Sequence, residues 1–164
     1  MTMPATTPEE TPWYLEASMP ALLRHARGTF ASAIRTSLAD AGFDDVPANG
    51  VYVIGAIARG GAPLSQIISD LGVTKQAAGQ LVDALVARGY LERSVDPEDR
   101  RRLTIALTDR GQAAADASRS AIDSVESQLI AHIGAGNVQQ TRATLAMLIH
   151  IGRHGDGQRP EIDV

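Results

Sequence analysis

Asp96-Pro97-Glu98-Asp99-Arg100-Arg101-Arg102 is the stretch on which the fold of this chain turns. Asp at the first position and Pro at the second favour a tight reversal. On the entering side Leu91, Arg93 and Val95 alternate with Glu92 and Ser94; on the leaving side Leu103, Ile105 and Leu107 alternate with Thr104 and Ala106. That period of two predicts a short hairpin with one apolar side and three adjacent arginines at its tip. Upstream, Leu64, Ile67, Ile68 and Leu71 fall at i, i+3, i+4 and i+7, the apolar stripe of a two-turn helix that Gly72 stops. Val73 is the turn, and Thr74 is the expected N-cap of a second helix with Ala78, Leu81, Val82, Leu85 and Val86 on its apolar side. Gly89 is the left-handed stop before the hairpin. Two short helices followed by a cationic hairpin make a winged helix-turn-helix.

The face of the second helix opposite the stripe carries Lys75, Gln76, Gly79, Gln80 and Asp83. It is polar, small near its start, and supplies the amide and ammonium groups that bond base edges and phosphates. A solvated surface would look the same in isolation. The adjoining wing separates the two readings and makes Ser65, Thr74, Lys75, Gln76, Gln80, Arg93, Arg100, Arg101 and Arg102 the candidate DNA-binding set. One wing arginine is expected to brace the turn through Asp96 or Asp99, leaving at least one for the minor groove, where negative potential is strongest.

Gly89-Tyr90-Leu91-Glu92-Arg93, then Asp96-Pro97-Glu98-Asp99-Arg100-Arg101, then Leu107-Thr108-Asp109-Arg110-Gly111, set behind a helix-turn-helix, resemble the multiple-antibiotic-resistance regulator (MarR) family of bacterial transcription factors. The likeness runs over about residues 48 to 133 by motif and roughly 18 to 152 by helix layout. It implies a homodimer on a pseudo-palindromic double-stranded operator. It also implies a repressor released by a small aromatic or anionic effector held between a helical bundle and the winged helix.

The flanks fit that layout. Met1 to Pro12, rich in Thr, Pro and Glu, is expected to be mobile. A long helix starts near Ser18 to Pro20, runs through Leu22, Leu23, Ala26, Phe30, Ala33, Ile34 and Leu38, and ends at Ala41-Gly42. Val51 to Ala58 reads as a buried helix leading to a turn at Arg59-Gly60-Gly61-Ala62-Pro63. Thr108 or Asp109 caps an alanine-rich helix through Ile133, Gly134-Ala135-Gly136 breaks it, and Val138, Leu145, Leu148 and Ile149 mark a last helix. The expected organisation is a flexible extension over 1–14, a first dimerisation helix over 15–46, the winged helix over 47–111, C-terminal dimerisation helices over 112–152 and a flexible tail over 153–164, all in one integrated domain. The fold class is mostly α with a small β-hairpin wing, a winged helix-turn-helix on a helical dimerisation bundle. A bundle closed within one chain is the alternative to a dimer.

At 164 residues, 44% hydrophobic and 21% charged, the chain is long enough for one proper core. The sequence shows no long apolar run and no signal-like segment, so a cytoplasmic, nucleoid-associated protein with no membrane partner is expected. With no cysteine, disulfides, thiolate metal sites and thiol-based oxidant sensing are excluded. The net charge of −4 is unusual for a DNA binder. Between Gly72 and Arg110, however, seven basic residues face six acidic ones, and the local patch steers association more than the total does.

For the effector, Trp13, His25, Phe30 and Tyr52 are the candidate ligand-binding residues, with Tyr14 and Met19 near them, because aromatics are only 4% of the chain. Phe30 and Tyr52 are alternatively core. His25 and His132 are expected near the junction of bundle and winged helix. His150 and His154, at i and i+4, leave open a metal-responsive regulator, but no third ligand stands beside them before Asp156, and neither metal nor cofactor is expected. A phosphate loop, a nucleophile elbow and paired catalytic carboxylates are absent from the sequence, so an enzyme is not expected. The remaining alternative is a winged-helix module that binds protein without DNA.

Overall fold

The computed structural model describes residues 12–60, 64–95 and 103–154. After a single 3-10 turn at Trp13–Leu15 come α1 (Met19–Asp40), α2 (Gly50–Arg59), α3 (Leu64–Asp70), α4 (Lys75–Ala87), β1 (Leu91–Val95), β2 (Leu103–Leu107), α5 (Asp109–Ile133) and α6 (Ala135–His154). The two strands pair antiparallel with Leu91 opposite Leu107, Arg93 opposite Ile105 and Val95 opposite Leu103. This is the hairpin that the alternation predicts. Its tip, including Arg100, Arg101 and Arg102, lies outside the described residues.

Helix limits follow the local chemistry. The Thr74 hydroxyl accepts from the Ala77 backbone N–H at 3.2 Å, the N-cap expected of α4. Thr108, not Asp109, caps α5, accepting from Gly111 N–H at 3.0 Å. Gly89 takes φ 73°, a region closed to most side chains, which lets the chain leave α4 and enter β1 at once.

The core lies where the helix-turn-helix meets the base of the bundle. Leu38 of α1, Val53 and Ile54 of α2, Ile67 of α3, Leu85 of α4, Tyr90, Leu91, and Ala114 and Ala115 of α5 form one cluster. α5 packs along α1 and α2, and Ser37 of α1 donates from its hydroxyl to the Ala117 carbonyl at 2.9 Å. Small side chains on α5, among them Ala114, Ala115, Ser118 and Ala121, are buried and permit this approach. α2 is less buried than its sequence suggests: Val53 and Ile54 are sealed, but Tyr52 stays 48% exposed on the outer side. α6 returns along α5, and its Arg153 pairs with Asp70 at the end of α3 at 2.8 Å. Among the described residues no helix is long and apolar enough to cross a membrane.

Candidate functional site

Two sites emerge, one on the surface of α4 and one in an open cleft between helices. On α4, Ala78, Val82 and Leu85 are buried while Lys75, Gln76, Gly79, Gln80 and Asp83 all face solvent. Thr74 and Ser65, at the starts of α4 and α3, are also exposed. Lys75, Gln76 and Gln80 make no side-chain hydrogen bond among the described residues, so their donors and acceptors point outward unspent. Arg93 differs. Its guanidinium pairs with Asp83 of α4, joining the wing strand to this helix across their exposed edge. Arg93, one of the candidate DNA contacts of the sequence, also has an acidic partner on α4.

Behind α4 lies a close joint. The Tyr90 carbonyl accepts from Thr108 N–H at 3.2 Å, the Thr108 hydroxyl donates to the Gly89 carbonyl, and Gly111 sits so tightly that a Cβ there would stand 2.0 Å from the Tyr90 oxygen. The Tyr90 ring is fully buried, and its hydroxyl donates to the Asp45 carboxylate. Arg110 donates to the same carboxylate at 2.9 Å and to the Tyr90 oxygen at 3.0 Å, with its guanidinium 4.6 Å from the Tyr90 ring centre and 5.5 Å from that of Phe43. These bonds set the proton affinities. The Tyr90 hydroxyl, then Arg110, hold Asp45 below the ordinary carboxylate range, while burial, then the neighbouring carboxylate, push Tyr90 above 10.0.

The second site is a cavity of about 1020 Å³ between α1, α2 and α5. Its apolar wall includes Ile34, Leu38, Phe43, Val51 and Ile122; its polar rim includes Arg27, Arg35, Arg59, Arg119 and Arg142 with Asp44, Asp123 and Glu126. Arg142 is bound to Glu126 at 2.8 Å and Arg27 donates to the Tyr52 hydroxyl at 3.3 Å, whereas Arg35, Arg59 and Arg119 have no ion pair among the described residues.

Of the four residues expected to hold a ligand, only Tyr52 lines this cavity. Trp13 instead stacks edge-on against His25, ring centres 4.7 Å apart, with Tyr14 next to it, and Phe30 is half-buried elsewhere on α1. His132 is not at the junction either: it lies in the last turn of α5, where its Nδ1 donates to the Gln128 carbonyl at 2.8 Å. Among the described residues no three His, Cys, Asp or Glu gather closely enough for a metal ion, and the side chain of His154 lies outside them. The cavity was legible from a different signal than aromatics. Small residues at helical spacing, Ala31 and Ala39 on α1, Gly55 and Ala58 on α2, Ala115 and Ser118 on α5, leave volume where three helices meet.

Residues 44–102 match the sequence model of the MarR family. Over this segment the chain is similar to the MarR family. No curated protein matches the chain. Among solved structures, S. aureus MepR bound to DNA is 22% identical, covering 82% of this chain and 98% of its own, with a TM-score of 0.64. CouR from Rhodococcus jostii bound to p-coumaroyl-CoA is 24% identical, covering 90% and 98%, with a TM-score of 0.63. S. aureus MepR bound to ethidium bromide is 22% identical, covering 82% and 96%, with a TM-score of 0.54. At these identities the likeness establishes the MarR-type winged-helix fold over nearly the whole length of each neighbour.

Proposed function

We propose that this chain is a MarR-family transcriptional regulator: a homodimeric repressor that reads a pseudo-palindromic operator in the cytoplasm and is released when a small molecule enters the cavity between α1, α2 and α5. The observation that carries the reading is the exposed, unspent face of α4, Lys75, Gln76 and Gln80, held beside a hairpin whose tip sequence is Arg100-Arg101-Arg102. In this reading Thr74 to Gln80 enter the major groove with Ser65 near the backbone, and the wing arginines follow the flanking phosphates or minor groove. The MepR–DNA complex supports the assignment, because a chain of the same fold is there bound to DNA. Residues 47–111 would form the DNA-reading part and the flanking helices the dimer.

Dimerisation is supported by Leu129, Ile130 and Ile133 at the end of α5 and Leu148, Ile149 and Ile151 in the last turns of α6, which stay 40% to 59% exposed in the single chain. Covering them with a second copy would remove that surface from water and double the DNA contacts. An aromatic, anionic molecule suits a cavity with apolar walls and three arginines that have no ion pair among the described residues, and two proteins of this fold are bound to ethidium and to p-coumaroyl-CoA. The experiment is operator recovery by genome-wide mapping, followed by affinity at several salt concentrations. Gln76→Ala or Gln80→Ala relaxes base preference at a few positions. Arg100→Ala with Arg101→Ala lowers affinity across all sequences and flattens the salt slope by about one for each phosphate no longer neutralised. A folded, dimeric protein that recovers no DNA refutes the proposal.

A further inference from the structure

Phe43 belongs to both sites. It lines the cavity, and its ring meets that of Tyr90 edge-on at 6.2 Å, with the Arg110 guanidinium 5.5 Å from its centre. Tyr90 in turn is tied to α4: its backbone N–H donates to the Leu85 carbonyl at 2.9 Å, and Gly89 N–H to that of Val86 at 3.0 Å. Its carbonyl is fixed to α5 through Thr108, and its hydroxyl to the α1–α2 connection through Asp45. Phe43 also ends α1, donating its N–H to the Leu38 carbonyl at 2.8 Å. A fully buried ring held on all sides cannot yield to a neighbour without carrying its backbone with it.

We propose that Phe43, Tyr90, Asp45 and Arg110 are positioning residues that convert occupancy of the cavity into the tilt of α4. A body placed against Phe43 pushes its ring into Tyr90. Tyr90 is held at its hydroxyl by Asp45 and Arg110, so it pivots about that end, and the displacement passes through its main chain to the last turn of α4. The exposed residues of α4 then leave their register on DNA. Empty, the cavity lets the Asp45–Tyr90–Arg110 bonds fix α4 in the reading orientation. The cluster therefore sets both the free protein's affinity for DNA and the size of the coupling between the two sites. This rests on the reading that α4 contacts DNA and that the cavity is the effector site.

The absence of native cysteine permits a test that needs no knowledge of the effector. Ala39 lines the cavity at the exposed end of α1, so Ala39→Cys offers one reachable thiol, which is capped with methyl or benzyl methanethiosulfonate to fill the cavity by steps. Affinity for an operator duplex selected from random sequence is measured with the full-length protein before and after capping, and again after the adduct is removed with reductant. The benzyl adduct is expected to weaken operator binding by about tenfold, within the usual range of such couplings, and the methyl adduct by less than about twofold. In the Phe43→Leu and Tyr90→Phe variants the ratio of uncapped to benzyl-capped affinity is expected to fall to under about twofold, whatever their uncapped affinity. A merely structural role would lower the melting temperature and leave that ratio untouched. Should Phe43→Leu unfold the protein, Tyr90→Phe, which keeps the buried ring, decides alone. An equal benzyl effect in the variants, or none in the parent that binds operator normally, overturns the link and leaves the DNA-binding reading standing. Failure of the uncapped parent to bind any duplex overturns both.

Discussion

Gly111→Ala tests whether the joint between α5 and the end of α4 is as close as it looks. The added Cβ would sit 2.0 Å from the Tyr90 carbonyl oxygen and 3.0 Å from Leu107 Cδ2, and the nearer atom is backbone, which cannot swing aside. Ordinary contact needs about 3.5 Å, so the first turn of α5 must retreat by about 1 Å or more. That retreat breaks the Thr108 N–H bond to Tyr90 and the Thr108 hydroxyl bond to Gly89, about 1 kcal/mol net for each. Disturbed packing of Tyr90, Ala114 and Ala115 adds about 1 kcal/mol, the low end for an overpacked core. A total near 3 kcal/mol corresponds to a melting temperature lower by about 6 to 12 °C for a chain of this size. Thermal melts by circular dichroism, run at one fixed protomer concentration because a dimer's melting point depends on it, provide the reading. A variant that melts within about 2 °C of the parent refutes the close approach and with it the joint on which the orientation of α4 depends.

Gly79→Ala, on the exposed face of α4 with nothing within 4 Å of the new methyl, should stabilise the protein by about 0.5 to 1 kcal/mol in urea melts; a parallel loss of operator affinity would show that DNA backbone approaches at this position. Asp83→Ala removes an exposed partner of Arg93, so stability should change by less than about 1 kcal/mol, while operator affinity rises and its salt slope steepens by about one as Arg93 becomes available for a phosphate. Asp45 has a lowered pKa, so its contribution to stability is present above the ordinary value of 3.8 and is lost as pH falls through the folded value; Asp45→Asn should flatten the acid limb of melting temperature against pH. Tyr90 has a raised pKa, so its contribution holds below 10.0 and is lost as pH rises through its folded value, and Tyr90→Phe should flatten the alkaline limb. Unaltered limbs in these variants would assign the pH dependence to other groups.

Where a residue's role depends on its own neighbours along the chain, the sequence made it legible. The Thr74 and Thr108 caps, the Gly89 stop, the alternation of the hairpin and the polar face of α4 all depend on groups within a few residues, and each appears in the structure. The ion pair of Arg93 was not legible, for the opposite reason. Its partner, Asp83, comes from another element, and neither spacing nor composition pairs a strand arginine with a helix aspartate ten residues earlier. The cavity shows the same limit. Searching for scarce aromatics led to Trp13 and His25, which stack on each other outside the cavity, and not to Phe43, which lines it and contacts Tyr90 and Arg110 far along the chain.

The composition of α5 explains why cavity and joint occur together. Small residues on α5 let α1 approach closely at Ser37 and the end of α4 at Gly111, while Ala115 and Ser118 leave open volume where α1, α2 and α5 meet. Tight contact transmits displacement because packed cores move between discrete arrangements and do not stretch. Open volume admits a ligand. A larger side chain at Ala115 would improve burial but would occupy the cavity and immobilise Phe43, and a looser joint at Gly111 would admit a ligand whose arrival α4 could not register. The small residues of α5 therefore place open volume beside a stiff joint, the combination that the proposed response to a ligand requires.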